Sequence, residues 1–478
     1  MMIPIRLARN EEEKHDKCGV FAIAGEKNVT LDVYAGLLAL QHRGQESCGI
    51  ATANGGKLRL FTGMGLVSEV FKQDDLALIE GSAAIGHVRY STTGASSAEN
   101  AQPFCIRKQG ELAIGFNGNL TNYDELKKEL EGRGRKFKSS TDTEAIGFML
   151  IDELSEGKNI FKAVEDTMKR LDGAYSLVSL LEGGEVIACR DPQGFRPLCV
   201  GKKGKAYVVA SESCALDAID AEFVREVEPG ECVLIIDGKL ESRILKTAPR
   251  KAQCMFEYVY FARPDAVFSG KVVGVVRQKL GEILAVKKKL DVDLVIPVPD
   301  SGRSAAYGYA LASGKPFAEA LIKNRYVYRT FIMPSQKQRV NSVRLKVNFI
   351  KSLVKGKRIA LVDDSIVRGN TLRKIAALCR EAGAREVHLV ISCPKIIAPC
   401  FMGIDFPTGE ELIAHNNKSI EAISKELGVD SLTYMDIEGL VEAIGIPKNE
   451  LCMACLNGDY PVRISPGTKE LGRSKSCG

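Results

Sequence analysis

"RIALVDDSIVRGNTLRKIAALCREAG", residues 358–383, decides how the second half of the chain folds. "RIALV" is a continuous apolar run, the pattern of a strand buried on both faces. "NTLRKIAALCRE" carries its apolar residues at helical spacing. Between them stand two adjacent carboxylates, Asp363 and Asp364, and a short polar loop, Ser365–Ile366–Val367–Arg368–Gly369–Asn370–Thr371. A strand–loop–helix unit puts such a loop at the carboxyl end of a strand, where open α/β sheets bind ligands. Free N–H groups at the helix start favour a phosphate, and Gly369 permits close approach. The two acids stand where a ribose diol or a hydrated Mg2+ could be held. One acid pair alone would be a solvated turn; the whole unit points to a ligand.

Working outward, "LVIPVPDSGRSAAYG" (294–308) again runs strand, loop, helix, with Asp300, Ser301, Gly302 and Arg303 at the turn. "VVGVVRQKLGEILAVKK" (272–288) and "SAAYGYALASG" (304–314) read as helices, and "EVHLVISCP" (386–394) as a third strand. That succession is the βαβ logic of a parallel sheet. The first half differs. Short β-type runs such as "GVFAIAG" (19–25) and "LAIGFNG" (112–118) mix with helical patterns such as "TDTEAIGFMLIDELSEG" (141–157), without strict alternation. This predicts a layered α+β domain.

Composition bounds the function. At 478 residues the chain exceeds one ordinary core, and 45% hydrophobic with 26% charged residues is normal for a globular protein. No apolar run approaches the ~20 residues that span a bilayer. The first seventeen residues carry mixed charge (Glu11 to Glu13 beside Lys14 and Lys17) and lack a secretory apolar region, so a cytoplasmic location is expected. Fourteen cysteines in so long a chain are core fillers, metal ligands or nucleophiles rather than a disulfide framework. The net charge of +6 is local: Ala320–Val362 holds eleven Lys or Arg and no Asp or Glu. Such a window suits a polyanion, and with few aromatics and no nucleic-acid motif a phosphorylated small molecule fits better than nucleic acid.

Cys18, in "HDKCGVFAIAG" (15–25), is a candidate nucleophile. A catalytic cysteine needs a base. His87 is one candidate. The other is its own α-amine, which titrates at roughly 7.7–8.0 and would require cleavage between Lys17 and Cys18. Near the other end, "LCMACLNG" sets Cys452 and Cys455 at C-x-x-C spacing, which favours a metal, a cluster or a redox pair.

"CGVFAIAG", "LQHRGQES", "GHVRYSTTG", "AQPF", "FNGNLTN" and "SSTDTEAI" occur in that order. Together they resemble the class II glutamine amidotransferase domain of the N-terminal-nucleophile fold, an αββα sandwich. "VDDSIVRGNT" resembles the phosphoribosylpyrophosphate (PRPP) motif of type I phosphoribosyltransferases. With both sets in one chain, residues 18 to about 462 resemble the glutamine PRPP amidotransferase family, in its leader-peptide and iron–sulfur-cluster type.

The resemblance implies a leader (1–17) removed on maturation, a glutaminase domain (18–245) and an α/β phosphoribosyltransferase domain with a cluster-binding segment (246–465); the polar composition of the tail (466–478) predicts disorder. It implies Cys18 as nucleophile, Asn117 and Gly118 as oxyanion hole, and Arg89, Thr92 and Asp142 as glutamine ligands. PRPP would meet Asp363, Asp364 and Ser365–Thr371, the pyrophosphate loop Asp300–Arg303, and Lys337 and Arg339 in a closing loop, with Mg2+ at Ser301, Asp363 and Asp364. "QCMFEYVYFARPDA" and "APCFMGID" add Cys254 and Cys400 to Cys452 and Cys455 as ligands of a [4Fe–4S] cluster, with zinc as the runner-up. The implied reaction turns PRPP and glutamine into 5-phosphoribosylamine, glutamate and pyrophosphate, the first committed step of purine biosynthesis. A homotetramer inhibited by purine nucleotides is expected, without membrane or nucleic acid. The rivals are a PRPP-binding regulator, a class II amidotransferase with another acceptor, and a plain phosphoribosyltransferase using a free base.

Overall fold

The computed structural model describes residues 18–90, 97–324, 347–404, 406 and 409–464. Thirteen strands build the first half. They are β1 (Gly19–Ala24), β2 (Ser47–Asn54), β3 (Lys57–Met64), β4 (Ala83–Arg89), β5 (Phe104–Lys108), β6 (Gly110–Leu120), β7 (Gly173–Leu181), β8 (Val186–Arg190), β9 (Cys199–Lys203), β10 (Ala206–Ala210), β11 (Glu222–Glu226), β12 (Glu231–Ile236) and β13 (Lys239–Ile244). They form two antiparallel sheets, ordered β11-β9-β10-β1-β4-β2-β3 and β13-β12-β8-β7-β6-β5.

Three apolar layers hold these sheets. Val20, Ala22, Ile85, Ala113, Val178 and Ala188 fill the space between them. Helix Thr30–Ala39 packs on the outside of the first sheet, and helices Asp142–Ser155 and Ile160–Arg170 on the outside of the second. The expected αββα sandwich is therefore the observed one. Its β2 and β4 are buried almost throughout, because each has a sheet on one side and helices on the other, which explains runs too apolar for simple alternation.

The second half holds the expected parallel sheet with one strand more than predicted: Leu294–Pro297, Arg358–Asp363 and Glu386–Ile391 are joined by Ser431–Tyr434, a four-residue strand in a stretch whose pattern reads as helical. Helices Val273–Lys287 and Arg303–Ser313 cross closely, because a Cβ on Gly281 would lie 1.8 Å from Ala305 O and one on Gly308 2.0 Å from Gln278 O. The basic stretch leaves and rejoins the fold through an antiparallel pair, Leu321–Lys323 with Val347–Phe349.

A two-residue parallel ladder pairs Gln253 with Leu451 and Cys254 with Cys452, bringing the start of this half to its C-terminal segment. Just beyond, Glu257–Phe261 forms a π-helical turn, whose carbonyls at Tyr258 and Ala262 accept from the buried Arg277 guanidinium at 2.8 Å each. The two halves meet along the end of β6. Asn119 Nδ2 donates to Phe401 O at 2.9 Å, and Thr121 Oγ1 to Arg463 O at 3.1 Å. No helix among the described residues is long and apolar enough to cross a membrane.

Candidate active sites

The first site lies at one end of the inter-sheet layer. Strand register places Val20 opposite His87 and Ser47 opposite Arg89. Side chains alternate along a strand. With Val20, Ala51, Ile85 and Ala113 in the inter-sheet core, Cys18, Ser47, His87 and Arg89 project into this layer from one sheet and Asn117 from the other. Asn117 is buried with both amide atoms unpartnered among the described residues, and so are Ser47 Oγ and His87 Nδ1. Buried polar atoms are nearly always satisfied; a cluster of unsatisfied ones marks a place for a polar ligand.

Cys18 sits directly before β1. Its thiol lies 3.6 Å from Tyr90 O and its carbonyl accepts from Arg43 Nε at 3.3 Å. Desolvation pushes the thiol above its ordinary range, and the Arg89 cation draws it back. His87 is not its partner. The imidazole donates from Nε2 to Phe116 O at 2.9 Å, and deep burial lowers it to about 3, so it stays neutral. A Cys–His dyad is thereby set aside in favour of a base from elsewhere.

Asp142 opens helix Asp142–Ser155 and accepts from Leu120 N at 2.9 Å. Burial raises it to about 6, against the pull of backbone donors and of Arg89. Arg89 itself is buried, with Glu46 3.8 Å away. A guanidinium and a carboxylate that both act on the Cys18 thiol can grip the two charges of an α-amino acid. Asn117 and Gly118 lie inside β6 rather than in a hairpin turn, and a Cβ on Gly118 would fall 2.0 Å from Ala174 O of β7.

The second site lies at the carboxyl end of strand Arg358–Asp363. Asp363 and Asp364 are buried, and Asp364 N donates to Asp363 Oδ1 at 2.8 Å. Asp364 also accepts from Ser301 Oγ and Ser365 Oγ, so the two predicted loops converge on one carboxylate. Gly302 is pressed on the same strand, where a Cβ would stand 2.5 Å from Val362 O. Gly369 has φ 79° and precedes helix Asn370–Glu381 with no side-chain cap, which leaves that helix start open to an anion. Ile366 is buried, Val367 O accepts from Ile413 N at 2.9 Å, and Arg368 pairs with Glu411 at 2.8 Å. Arg303 pairs with Asp300 at 3.0 Å. Thr92, Lys337 and Arg339, predicted as ligands, lie outside the described residues, as do the leader 1–17 and the tail.

The four predicted cluster cysteines converge on one junction. Cys254 and Cys452 are register partners. Burial raises Cys254, Cys400, Cys452 and Cys455, and for Cys254, Cys452 and Cys455 the neighbouring thiols raise them further. Arg196 faces Cys254 and Cys400, which its charge pulls down. Among the described residues no three His, Cys, Asp or Glu gather tightly enough for a single metal ion.

Sequence reading missed what joins these places. Arg43 and Arg196 both pair with Glu257, at 2.9 and 3.2 Å, and Arg43 also pairs with Glu212, which holds His42 at 2.8 Å; all but His42 are almost fully buried. Arg43 stands in "LQHRGQES" and Glu257 in "QCMFEYVYFARPDA", but a buried ion network leaves no periodicity to read.

A profile of the glutamine amidotransferase domain matches residues 87–218, and one of the phosphoribosyl transferase domain matches 279–413. Amidophosphoribosyltransferase of Methanocaldococcus jannaschii is 49% identical over 474 residues, covering 95% of this chain and all of that one. The chain belongs to the amidophosphoribosyltransferase family. The Bacillus subtilis amidophosphoribosyltransferase is 45% identical over 95% of this chain and 96% of its own. A solved structure of glutamine PRPP amidotransferase from B. subtilis, complexed with ADP and GMP, superposes with a TM-score of 0.89 at 44% identity, covering 96% of this chain and all of that one. The amidophosphoribosyltransferase fold, a glutamine amidotransferase domain followed by a phosphoribosyltransferase domain, is thus the fold of this chain.

Proposed function

We propose that the chain converts PRPP, glutamine and water into 5-phosphoribosylamine, glutamate and pyrophosphate, as the leader-peptide, cluster-bearing type of amidophosphoribosyltransferase. Cleavage after Lys17 would free the Cys18 α-amine, which then takes the thiol proton. Arg89 and Asp142 hold the α-carboxylate and α-ammonium of glutamine while Cys18 attacks its side-chain amide. The Asn117 amide and Gly118 N–H receive the oxyanion, and the thioester is hydrolysed after ammonia leaves. In the second site Asp363 and Asp364 hold the ribose hydroxyls, Ser365–Thr371 the 5′-phosphate, and Asp300–Arg303 with Lys337 and Arg339 the pyrophosphate. Ammonia then displaces pyrophosphate at ribose C1. Ser301, Asp363 and Asp364 would hold Mg2+, whose charge offsets that of the leaving group.

The observation that carries the reading is the direct seating of the phosphoribosyltransferase half on the oxyanion strand. A Cβ on Gly403 would fall 2.9 Å from the Gly118 carbonyl carbon, and Phe401 O accepts from Asn119. The two halves between which ammonia would pass are thus in direct contact at the strand that carries Asn117 and Gly118.

Cys254, Cys400, Cys452 and Cys455 would hold a [4Fe–4S] cluster as a structural clasp. Four buried thiols beside a guanidinium suit an anionic sulfur cluster. Zinc is the alternative, since four thiolates suit either group. A cytoplasmic homotetramer inhibited by purine nucleotides completes the proposal, supported by the ADP and GMP on the B. subtilis structure. The test is PRPP-dependent glutamate release by purified protein with Mg2+. No release from protein whose mature chain begins at Cys18 would overturn it.

A further inference from the structure

The edge of β6 beyond the end of β5 carries a device the mechanism above does not use. β5 pairs with β6 only as far as Phe104 opposite Ile114, whereas β7 follows β6 to Leu120. In an antiparallel strand the N–H and C=O of alternate residues face opposite edges. Thr121 N bonds Asp172 O on the β7 side, so Phe116, Gly118 and Leu120 face the edge that β5 leaves open. Unpaired strand edges carry backbone groups that must find partners.

Side chains supply them. Phe116 N donates to Gln102 Oε1 at 3.0 Å, and Phe116 O accepts from His87 Nε2 at 2.9 Å. Leu120 N donates to Asp142 at 2.9 Å. Between these two anchored positions the Gly118 N–H is left aimed at the same edge, next to the Asn117 amide. Gln102 Nε2 in turn donates to Thr143 Oγ1 at 3.0 Å, one residue from Asp142. Gln102, His87 and Thr143 are all buried. Burial keeps the His87 ring neutral, against the pull of its hydrogen bond to the Phe116 carbonyl.

We propose that Gln102 and His87 are positioning residues for the oxyanion hole. They stand in for the missing strand and fix the Phe116 peptide, and with it the angle of the Asn117 amide and the Gly118 N–H. Through Thr143, Gln102 also ties this strand to the helix that carries Asp142. The inference rests on the glutaminase reading. "AQPF" and "GHVRYSTTG" thereby acquire a physical reason: an acceptor and a donor placed for the N–H and C=O of one residue at the strand edge.

The test compares Gln102→Met and His87→Phe, which remove the acceptor and the donor, with Gln102→Glu and His87→Gln, which can keep them. Binding is measured for the glutamine aldehyde analogue, which forms a tetrahedral adduct with Cys18, and for glutamine by its KM. The first pair should lose roughly 10- to 100-fold in aldehyde affinity and in glutaminase kcat, with KM for glutamine within about threefold. The second pair should recover most of both. In an Asn117→Ala background, His87→Phe should cost little more, because the group it aims is gone. Wild-type aldehyde affinity in both apolar variants would overturn the proposal. So would equal losses in kcat and glutamine binding, or full additivity with Asn117→Ala. Should the apolar variants fail to fold, Gln102→Glu and His87→Gln decide alone: losses as deep in these as in Asn117→Ala would refute the clamp. Absence of glutaminase activity in the unsubstituted mature protein would instead refute the underlying reading.

Discussion

Arg43 grips Glu257 with both arms of its guanidinium, at 3.0 and 2.9 Å, and neither residue is more than 2% exposed. One lies just before β2 of the sandwich, the other opens the π-helical turn of the following half. Two-pronged pairs of this kind are strong and directional. Because Arg43 also donates to Cys18 O and Glu257 also holds Arg196, the pair sits between Cys18 and the cysteine junction. Glu257→Gln removes the charge while nearly preserving shape, and leaves two buried arginines short of an anion. The expected destabilisation is about 3–5 kcal/mol, read from denaturant unfolding.

If Asp142 binds the glutamine ammonium as proposed, it should set a pH limit on glutamine use. Burial raises it to about 6, so it is a carboxylate above that pH and increasingly an acid below it. Only the carboxylate can pair with an ammonium. KM for glutamine should therefore be flat above about pH 7 and rise about tenfold per unit below about 6. Asp142→Asn should show a high KM at every pH and no such slope. Steady-state kinetics across pH 5–8 checks both statements.

Cys18→Ala should abolish glutamine-dependent synthesis, a loss of about 10³-fold or more, while synthesis from added ammonia continues in the other half. Product formation with each nitrogen donor is the measurement. Loss of both in a folded variant contradicts two separate sites.

Asp364→Asn attacks the other half. It removes the carboxylate on which Ser301 and Ser365 converge. PRPP-dependent synthesis should fall about 100-fold or more with either nitrogen donor, and PRPP binding by calorimetry should weaken in parallel.

The cysteine junction predicts its own analysis. Purified protein should contain iron and acid-labile sulfide in equal amounts, and no zinc. Cys455→Ser should lose both and lower the unfolding midpoint by several degrees, since binding energy at such a site is folding energy. Absorption and thermal melting together read the outcome.

Much of this was legible in the chain itself. Strand Arg358–Asp363, its loop and helix Asn370–Glu381 fall where "RIALVDDSIVRGNTLRKIAALCRE" places them, because buried parallel strands and amphipathic helices write their periods directly. Asn117 and Gly118 were recognisable as a motif, yet their place inside β6 was not, since "NG" also suits a turn. The Arg43–Glu257–Arg196 network and the clamp on Phe116 stayed hidden for one reason. Both depend on which distant segments meet, and a single Arg, Gln or His carries no mark of its partner until the sheets are assembled.

The ladder between Cys254 and Cys452 makes the second half a closed circuit, with its first and last segments side by side. A chain arranged this way tolerates a nick differently from an open one. Cut once between those segments, it yields two pieces still fastened to each other at the ladder, and each still fastened to the sandwich, by Glu257 on one side and by Arg463 on the other. The seam thus adds a second support to that of the core: a broken peptide bond elsewhere in this half leaves its two ends still joined.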